Sequence, residues 1–189
     1  MTIEIILGIV LASILSNNYA LIECLGTGAV IENDRSTKRS LVLGAGTTLV
    51  MLLTTLITWP INKFVLGEKL EFLQTMAFVM VVLVVVEALH IVARRVLDNY
   101  CHSHFVKFAV NGAVLGLCIH SAEHSFVEAI VTAAAVGVGF TLTMTLYGKL
   151  KDLAVDEDAI PESFRGLPIA LLTAGMITLA LIALGSISF

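Results

Sequence analysis

Six long apolar stretches divide the sequence, and short polar segments separate them. The stretches cover residues 3–31, 41–58, 72–93, 105–121, 126–148 and 166–188. An α-helix needs about 20 mostly apolar residues to cross the hydrocarbon core of a bilayer. The run VMVVLVVV at 79–86 would suit a strand in water. In lipid, however, a helix satisfies its own backbone. The pattern therefore predicts six transmembrane helices.

The first and fourth stretches are interrupted by polar residues and glycines. The first holds Asn17, Asn18, Glu23, Gly26 and Gly28, and the fourth holds Asn111, Gly112 and Gly116. Helices interrupted in corresponding positions of two halves are typical of a midplane site in inverted-repeat membrane proteins. The alternative is that glycine and asparagine only allow helices to pack closely.

The positions of these interruptions divide the chain into two repeats of three helices, residues 1–97 and 98–189, within a single membrane domain. An odd number of spans in each half gives the two halves opposite orientations. The sequence thus predicts an all-α integral membrane protein, built as two inverted three-helix repeats with interrupted first and fourth helices.

Composition excludes most other classes of protein. Hydrophobic residues make up 58% of the chain and charged residues 14%, against about 45–50% and about 25% in soluble domains. Disorder requires low hydrophobicity and high charge. A net charge of −4 without a basic tail argues against nucleic-acid binding. Three cysteines do not make a disulfide scaffold.

Basic residues predict the orientation, because Lys and Arg concentrate in cytoplasmic loops. Nine of the eleven lie in the first, third and fifth loops, namely Arg35, Lys38, Arg39, Arg94, Arg95, Lys107, Lys149, Lys151 and Arg165. The other two, Lys63 and Lys69, lie in the second loop. We therefore expect a multi-pass protein with both termini on the outer, periplasmic side.

Several segments resemble the Rnf/Nqr family of membrane subunits, and the resemblance spans nearly the whole chain. They are NNYALIECLG at 17–26, LGAGTTLVMLLTTLI at 43–57, TMAFVMVVLVVVEAL at 75–89, NGAVLG at 111–116 and the region 139–184 with its Arg-Gly and Thr-Ala-Gly-Met elements. Within the family, the chain resembles the A subunits of Rnf complexes and the E subunits of Nqr complexes.

The resemblance implies a role in the cell inner membrane. Such subunits pair with a homologous membrane subunit of opposite topology, within a complex that moves electrons between ferredoxin or NADH and an acceptor such as a quinone. The complex couples this transfer to Na⁺ or H⁺ translocation. The chain would be a non-catalytic subunit of a translocase, helping to form the intramembrane electron and ion path.

Four polar residues are candidates for that path or for the subunit interface. They are Asn17, Asn18, Glu23 and Asn111. A carboxylate inside a span is costly and is therefore a functional candidate by default. The alternative for Glu23 is a position near the cytoplasmic end, from which its carboxylate reaches the membrane interface.

The family cofactor is a [2Fe–2S] cluster shared with the partner, for which each interrupted helix supplies one cysteine. This sequence departs from that pattern, because Gly28 and Gly112 occupy the two ligand positions. Glycine has no side chain, whereas iron–sulfur clusters are held by thiolates. Cys24 lies one helical turn before Gly28 and is the nearest substitute. The departure leaves open a non-redox inverted-repeat transporter, or a redox-inactive paralogue.

The segment HSAEH at 120–124 matches the H-x-x-E-H pattern of some zinc peptidases. It falls in a short loop at the outer end of the fourth span, with no domain to bind a peptide. A polar cap at the membrane interface is the alternative interpretation, and we prefer it.

Overall fold

The computed structural model describes residue 8 and residues 22–23, 25–31, 37–67, 71–96, 110–154 and 161–187. Its α-helices are α1 (Thr27–Ile31), α2 (Thr37–Ile61), α3 (Gln74–Val96), α4 (Gly112–Ser121), α5 (Phe126–Ala154) and α6 (Leu167–Ile187). A π-helical turn at Asn62–Leu66 extends α2, and short 3₁₀ turns lie at Glu71–Leu73 and Glu162–Phe164. The described part of the chain contains no strand, so the predicted all-α class is confirmed.

Three segments are long and apolar enough to cross a membrane: Ser40–Leu66, Gln74–Val92 and Phe126–Leu150. Gly112–Ser121 and Leu167–Ala183 are shorter apolar helices. These five segments fall on five of the six predicted stretches. The first stretch, 3–31, lies mostly outside the described residues.

The central element of the fold is the pair α2 and α5, which contact each other along much of their length. Helices α3 and α4 pack on α2, while α1 and α6 pack on α5. The largest fully buried side chains are Tyr147, Phe78, Phe140, Leu43 and Met51. The Tyr147 hydroxyl donates a hydrogen bond to the Ala170 carbonyl at 3.0 Å, and this bond joins α5 to α6.

Two glycines and two threonines let α2 and α5 approach closely. A Cβ placed on Gly44 would lie 2.7 Å from Thr141 Oγ1, and one placed on Gly137 would lie 2.5 Å from Thr48 Cγ2. The two threonine hydroxyls are 3.2 Å apart. The threonine of each helix therefore packs against the glycine of the other helix. Small residues at such contacts are typical of membrane helices, where close packing drives association.

Three buried threonines of α2 bond to their own helix. They are Thr47, Thr54 and Thr58. Their hydroxyls donate to the carbonyls of the residues four positions earlier, Leu43, Val50 and Thr54, at 2.6 to 2.8 Å. Such bonds remove the cost of placing a hydroxyl away from water.

The outer faces of α3 and α6 are apolar and exposed. Met76 and Met80 on α3 are 70% and 63% exposed, and Met176 and Leu179 on α6 are 71% and 69% exposed. Exposed apolar patches mark contact with a membrane or with another protein. Together with three helices of membrane-spanning length, they identify a membrane-embedded chain.

We expect Gly137→Ala to destabilise the folded protein by about 1–3 kcal/mol, because the added methyl group would overpack the helix crossing. Thr48→Ala in the same chain should restore part of that loss, since it removes the atom nearest to the new methyl group. Melting temperature in detergent measures both effects.

The matched control for this prediction is Gly175→Ala in α6. No described atom lies within 4 Å of a Cβ at Gly175, so this change should leave the melting temperature unchanged or slightly raised. Equal losses for Gly137→Ala and Gly175→Ala would show that the crossing is not tightly packed.

Candidate functional site

The two interrupted regions of the sequence meet in space. A Cβ placed on Gly112 would lie 2.5 Å from the carbonyl oxygen of Leu25, and one placed on Gly26 would lie 3.4 Å from the Cβ of Ala113. Residues 25–26 thus lie directly against residues 112–113, with backbone touching backbone. We call residues 25–31 and 110–115 the junction.

Each side of the junction is the start of a helix. Asn111 has extended backbone angles, φ −128° and ψ 162°, and its side chain accepts a hydrogen bond from Val114 N–H. That bond, 3.0 Å long, makes Asn111 the N-cap of α4. On the other side, the Val30 N–H donates to the Gly26 carbonyl at 3.3 Å, which begins α1. The interruptions are therefore helix starts rather than kinks.

One side of the junction is packed and the other is open. Val30, Ala113 and Val114 are fully buried in the core. Gly28 and Gly112 are exposed, and Leu25 and Val110 are 38% and 42% exposed. Apolar side chains and the glycines of both helix starts are thus exposed on the same side of the junction.

The structure brings some of the predicted site residues together and leaves others apart. Gly28, Gly112 and Asn111 belong to the junction, and the carboxamide of Asn111 is used as a helix cap. Glu23 lies in an exposed bend just before Leu25. Asn17, Asn18 and Cys24 lie outside the described residues.

Comparison with known proteins places these features in a family. The sequence profile of the Rnf-Nqr subunit membrane proteins matches residues 6–188. The A subunit of the ion-translocating oxidoreductase complex of Cronobacter sakazakii is 33% identical over 174 residues, which cover 89% of this chain and 90% of the relative. The corresponding protein of Syntrophotalea carbinolica is 33% identical over 178 residues, covering 91% and 92%.

A third relative, the same kind of subunit from Escherichia coli, is 32% identical over 174 residues, covering 89% of this chain and 90% of the relative. This chain belongs to the Rnf-Nqr family. The membership predicted from the sequence is therefore confirmed.

The junction of this Rnf-Nqr chain does not fit the [2Fe–2S] cluster that its family resemblance implies. Gly28 and Gly112 supply no thiolate, and iron–sulfur clusters normally need one from each ligand position. Space is also missing at Gly112, since the Leu25 carbonyl occupies the place where a Cβ would project. At Gly28, by contrast, no described atom lies within 4 Å of a Cβ.

Cys118, a cysteine of α4, is buried against α2. Its side chain is 1% exposed and lies beside the hydroxyls of Thr54, Thr55 and Thr58 on α2. It therefore faces the α2 contact, whereas Gly112 on the same helix backs onto Leu25. This agrees with a regular helix, on which residues six positions apart face away from each other.

The zinc-peptidase interpretation of residues 120–124 gains no support from the described residues, among which no three His, Cys, Asp or Glu side chains cluster as metal ligands. The rings of His120 and His124 lie 4.8 Å apart, but His124 Nδ1 is 3.0 Å from the His120 carbonyl oxygen. That ring nitrogen is thus engaged in the local turn.

Sequence analysis missed two features that the structure shows. The first is the crossing of α2 and α5. The Gly-x-x-x-Thr pattern at Gly44–Thr48 occurs again at Gly137–Thr141, 93 residues later. The second is the likeness of TGAVI at 27–31 to NGAVL at 111–115, which marks both sides of the junction. The first was visible in the sequence as a spacing of 93 residues, and the second as a shared Gly-Ala-Val.

We expect Gly112→Ala to lower the stability of the folded protein by about 1–3 kcal/mol, because its methyl group must displace a backbone carbonyl. Gly28→Ala, made at the matching position of α1, should be neutral or stabilising by about 0.5–1 kcal/mol, since alanine favours a helix and meets no described atom. The melting temperatures of the Gly112→Ala and Gly28→Ala proteins in detergent measure this difference in stability. A Gly112→Ala protein as stable as Gly28→Ala would mean that the two segments do not touch.

Proposed function

We propose that this chain is a membrane subunit of an ion-translocating electron-transport complex and has no active site of its own. The observation that carries the proposal is the match to named complex subunits along about nine tenths of both chains. A match of that extent includes the loops and the helix contacts as well as the apolar spans.

The proposed architecture is six membrane helices in two inverted repeats, residues 1–97 and 98–189. The reciprocal contact of α2 and α5 supports this architecture, because Thr141 packs against Gly44 just as Thr48 packs against Gly137. Such an exchange is expected when two equivalent helices cross at a pseudo-twofold axis. The interrupted first helix of each repeat then meets its counterpart at the junction.

The proposed partner is a homologous membrane subunit of opposite topology, which covers the open side of the junction. Interrupted backbone at membrane depth must be buried in protein or line a cavity. Gly28 and Gly112 are exposed there, which supports a second chain packed against them. Asn17, Asn18 and Glu23 stay candidates for the ion path or this interface, and Asn111 contributes through the helix start that it caps.

We infer further that this chain supplies no iron ligand at Gly28 or Gly112. The Leu25 carbonyl against Gly112 favours a second candidate function within the same fold, a redox-inactive paralogue or a non-redox carrier. In either case the junction is a packed contact between helix starts, and any electron path runs through other subunits.

Purification tests the proposal. We expect the tagged chain, extracted from its native membranes in mild detergent, to carry other subunits of an oxidoreductase, identified by mass spectrometry. The pair formed with its homologous partner should contain no intramembrane iron and show no visible cluster absorption.

Isolation without any redox subunit would favour the carrier. An iron–sulfur signal in the pair that Cys24→Ser abolishes would show that Cys24 holds the cluster one turn earlier, and it would overturn the expectation that the pair contains no iron.

The proposed topology places both termini on the periplasmic side of the inner membrane, because nine of eleven basic residues lie in or beside the first, third and fifth predicted loops. Alkaline phosphatase fused after residue 37, 98 or 156 should be inactive, and fused at the C-terminus it should be active. A cytoplasmic reporter active at the C-terminus would contradict this orientation.

A further inference from the structure

A cavity of 390 Å³ lies where several helices end together. It is bounded by the end of α2, the following π-helical turn, the start of α3 and the connection between α4 and α5. Its lining includes Trp59, Asn62, Lys63, Gln74, Glu123 and His124. The volume falls within the range of about 300–1,000 Å³ that is typical of small-molecule sites.

The wall of the cavity is built by specific bonds between distant parts of the chain. The Trp59 indole N–H donates to the His124 carbonyl at 2.9 Å, and the Asn62 amide donates to the Ala122 carbonyl at 3.4 Å. The Trp59 ring also meets the Phe126 ring edge-on, with centroids 5.0 Å apart. These contacts hold the end of α2 against the α4–α5 connection, so the cavity has a defined shape.

The cavity lining carries a cation and an anion. The Lys63 ammonium lies 5.0 Å from the centroid of the Trp59 ring, a distance at which the ring face attracts a cation. Glu123 lines the same cavity and is exposed. The Gln74 amide adds an uncharged donor and acceptor. A ligand that carries both a negative and a positive group matches this lining.

The surroundings of the cavity are those of a membrane surface. The apolar span Ser40–Leu66 ends here, and the spans Gln74–Val92 and Phe126–Leu150 begin here. Tryptophan is enriched at this depth in membrane proteins. Phe64 follows the lining residue Lys63 in the chain, and Phe72 lies two residues before the lining residue Gln74. They are 82% and 78% exposed, so two aromatic side chains are accessible to acyl chains.

We propose that this cavity binds the headgroup of an amine-bearing phospholipid, with the phosphate at Lys63, the ammonium at Glu123 and the acyl chains along Phe64 and Phe72. The polar groups explain recognition of the headgroup, and the adjacent exposed aromatic residues explain why the ligand is a lipid rather than a soluble phosphate. The proposal does not depend on the electron-transport role of the chain.

Lipid titration of the purified full-length chain, followed by native mass spectrometry, tests the proposal. The probes are phosphatidylethanolamine, phosphatidylglycerol and diacylglycerol with identical acyl chains, and inorganic phosphate serves as a soluble competitor. Because only the ethanolamine headgroup carries an ammonium that can pair with Glu123, we expect the ethanolamine lipid to bind about tenfold more tightly than the glycerol lipid. Diacylglycerol should bind weakest, and inorganic phosphate should compete poorly.

Three variants separate the parts of the proposal, and a fourth serves as control. Lys63→Gln should weaken binding of both phospholipids about tenfold, while Lys63→Arg should retain most of it. Glu123→Gln should remove the preference for ethanolamine and leave phosphate recognition in place. Lys149→Gln, an exposed lysine of α5 outside the cavity lining, is the matched control and should bind like the wild type.

The contrary outcomes are equally distinct. Equal binding of diacylglycerol and the phospholipids, or of the wild type and Lys63→Gln, would overturn the phosphate site. A preference for ethanolamine that survives Glu123→Gln would overturn the assignment of the amine. Full competition by inorganic phosphate would show that the site takes a soluble anion, and overturn its assignment to a lipid. Melting temperatures equal to that of the wild type exclude misfolding as the cause of any loss.

Discussion

Close approach of helix backbones is the constraint on which the rest of this structure depends. In a bilayer, lipid chains are as apolar as leucine, so helices associate through tight packing rather than through removal from water. The chain meets this requirement with glycine at its closest contacts. Gly44 and Gly137 let α2 and α5 cross, Gly112 lets the start of α4 touch Leu25, and Gly26 accommodates the Phe140 ring of α5. A Cβ at any of these four positions would lie 2.5 to 2.7 Å from an atom of another element.

Polar groups at these contacts are placed where the fold satisfies them. The hydroxyls of Thr48 and Thr141 each donate to a carbonyl of their own helix, at 2.9 and 3.0 Å, and they also face each other at the crossing. The Asn111 side chain satisfies the first turn of α4. These bonds form within each helix or its first turn. Thr48, Thr141 and Asn111 can therefore lie at helix contacts without the free-energy cost of burying an unsatisfied polar group.

The junction connects this packing to function. Family resemblance implies a cluster ligand on each interrupted helix, yet the chain has glycine at both positions, and one of them is closed by the Leu25 carbonyl. A side chain at Gly112 would therefore have to displace the Leu25 carbonyl. The edge of the junction that carries Val110 is exposed.

The sequence alone determined the class of protein, the family and the approximate limits of five helices, because apolar runs of membrane length and a signature that spans the chain can be read residue by residue. It also showed glycine at both positions where the family resemblance implies a ligand, since that is a matter of residue identity. The predicted stretch 41–58 falls within Thr37–Ile61, and 126–148 within Phe126–Ala154. Only the tertiary structure decided what each glycine faces. Gly28 is open whereas Gly112 lies against a carbonyl, because the neighbour of a glycine is set by residues far away along the chain. The cavity beside Trp59 likewise joins residues about 60 positions apart, a distance at which no periodicity could have predicted it.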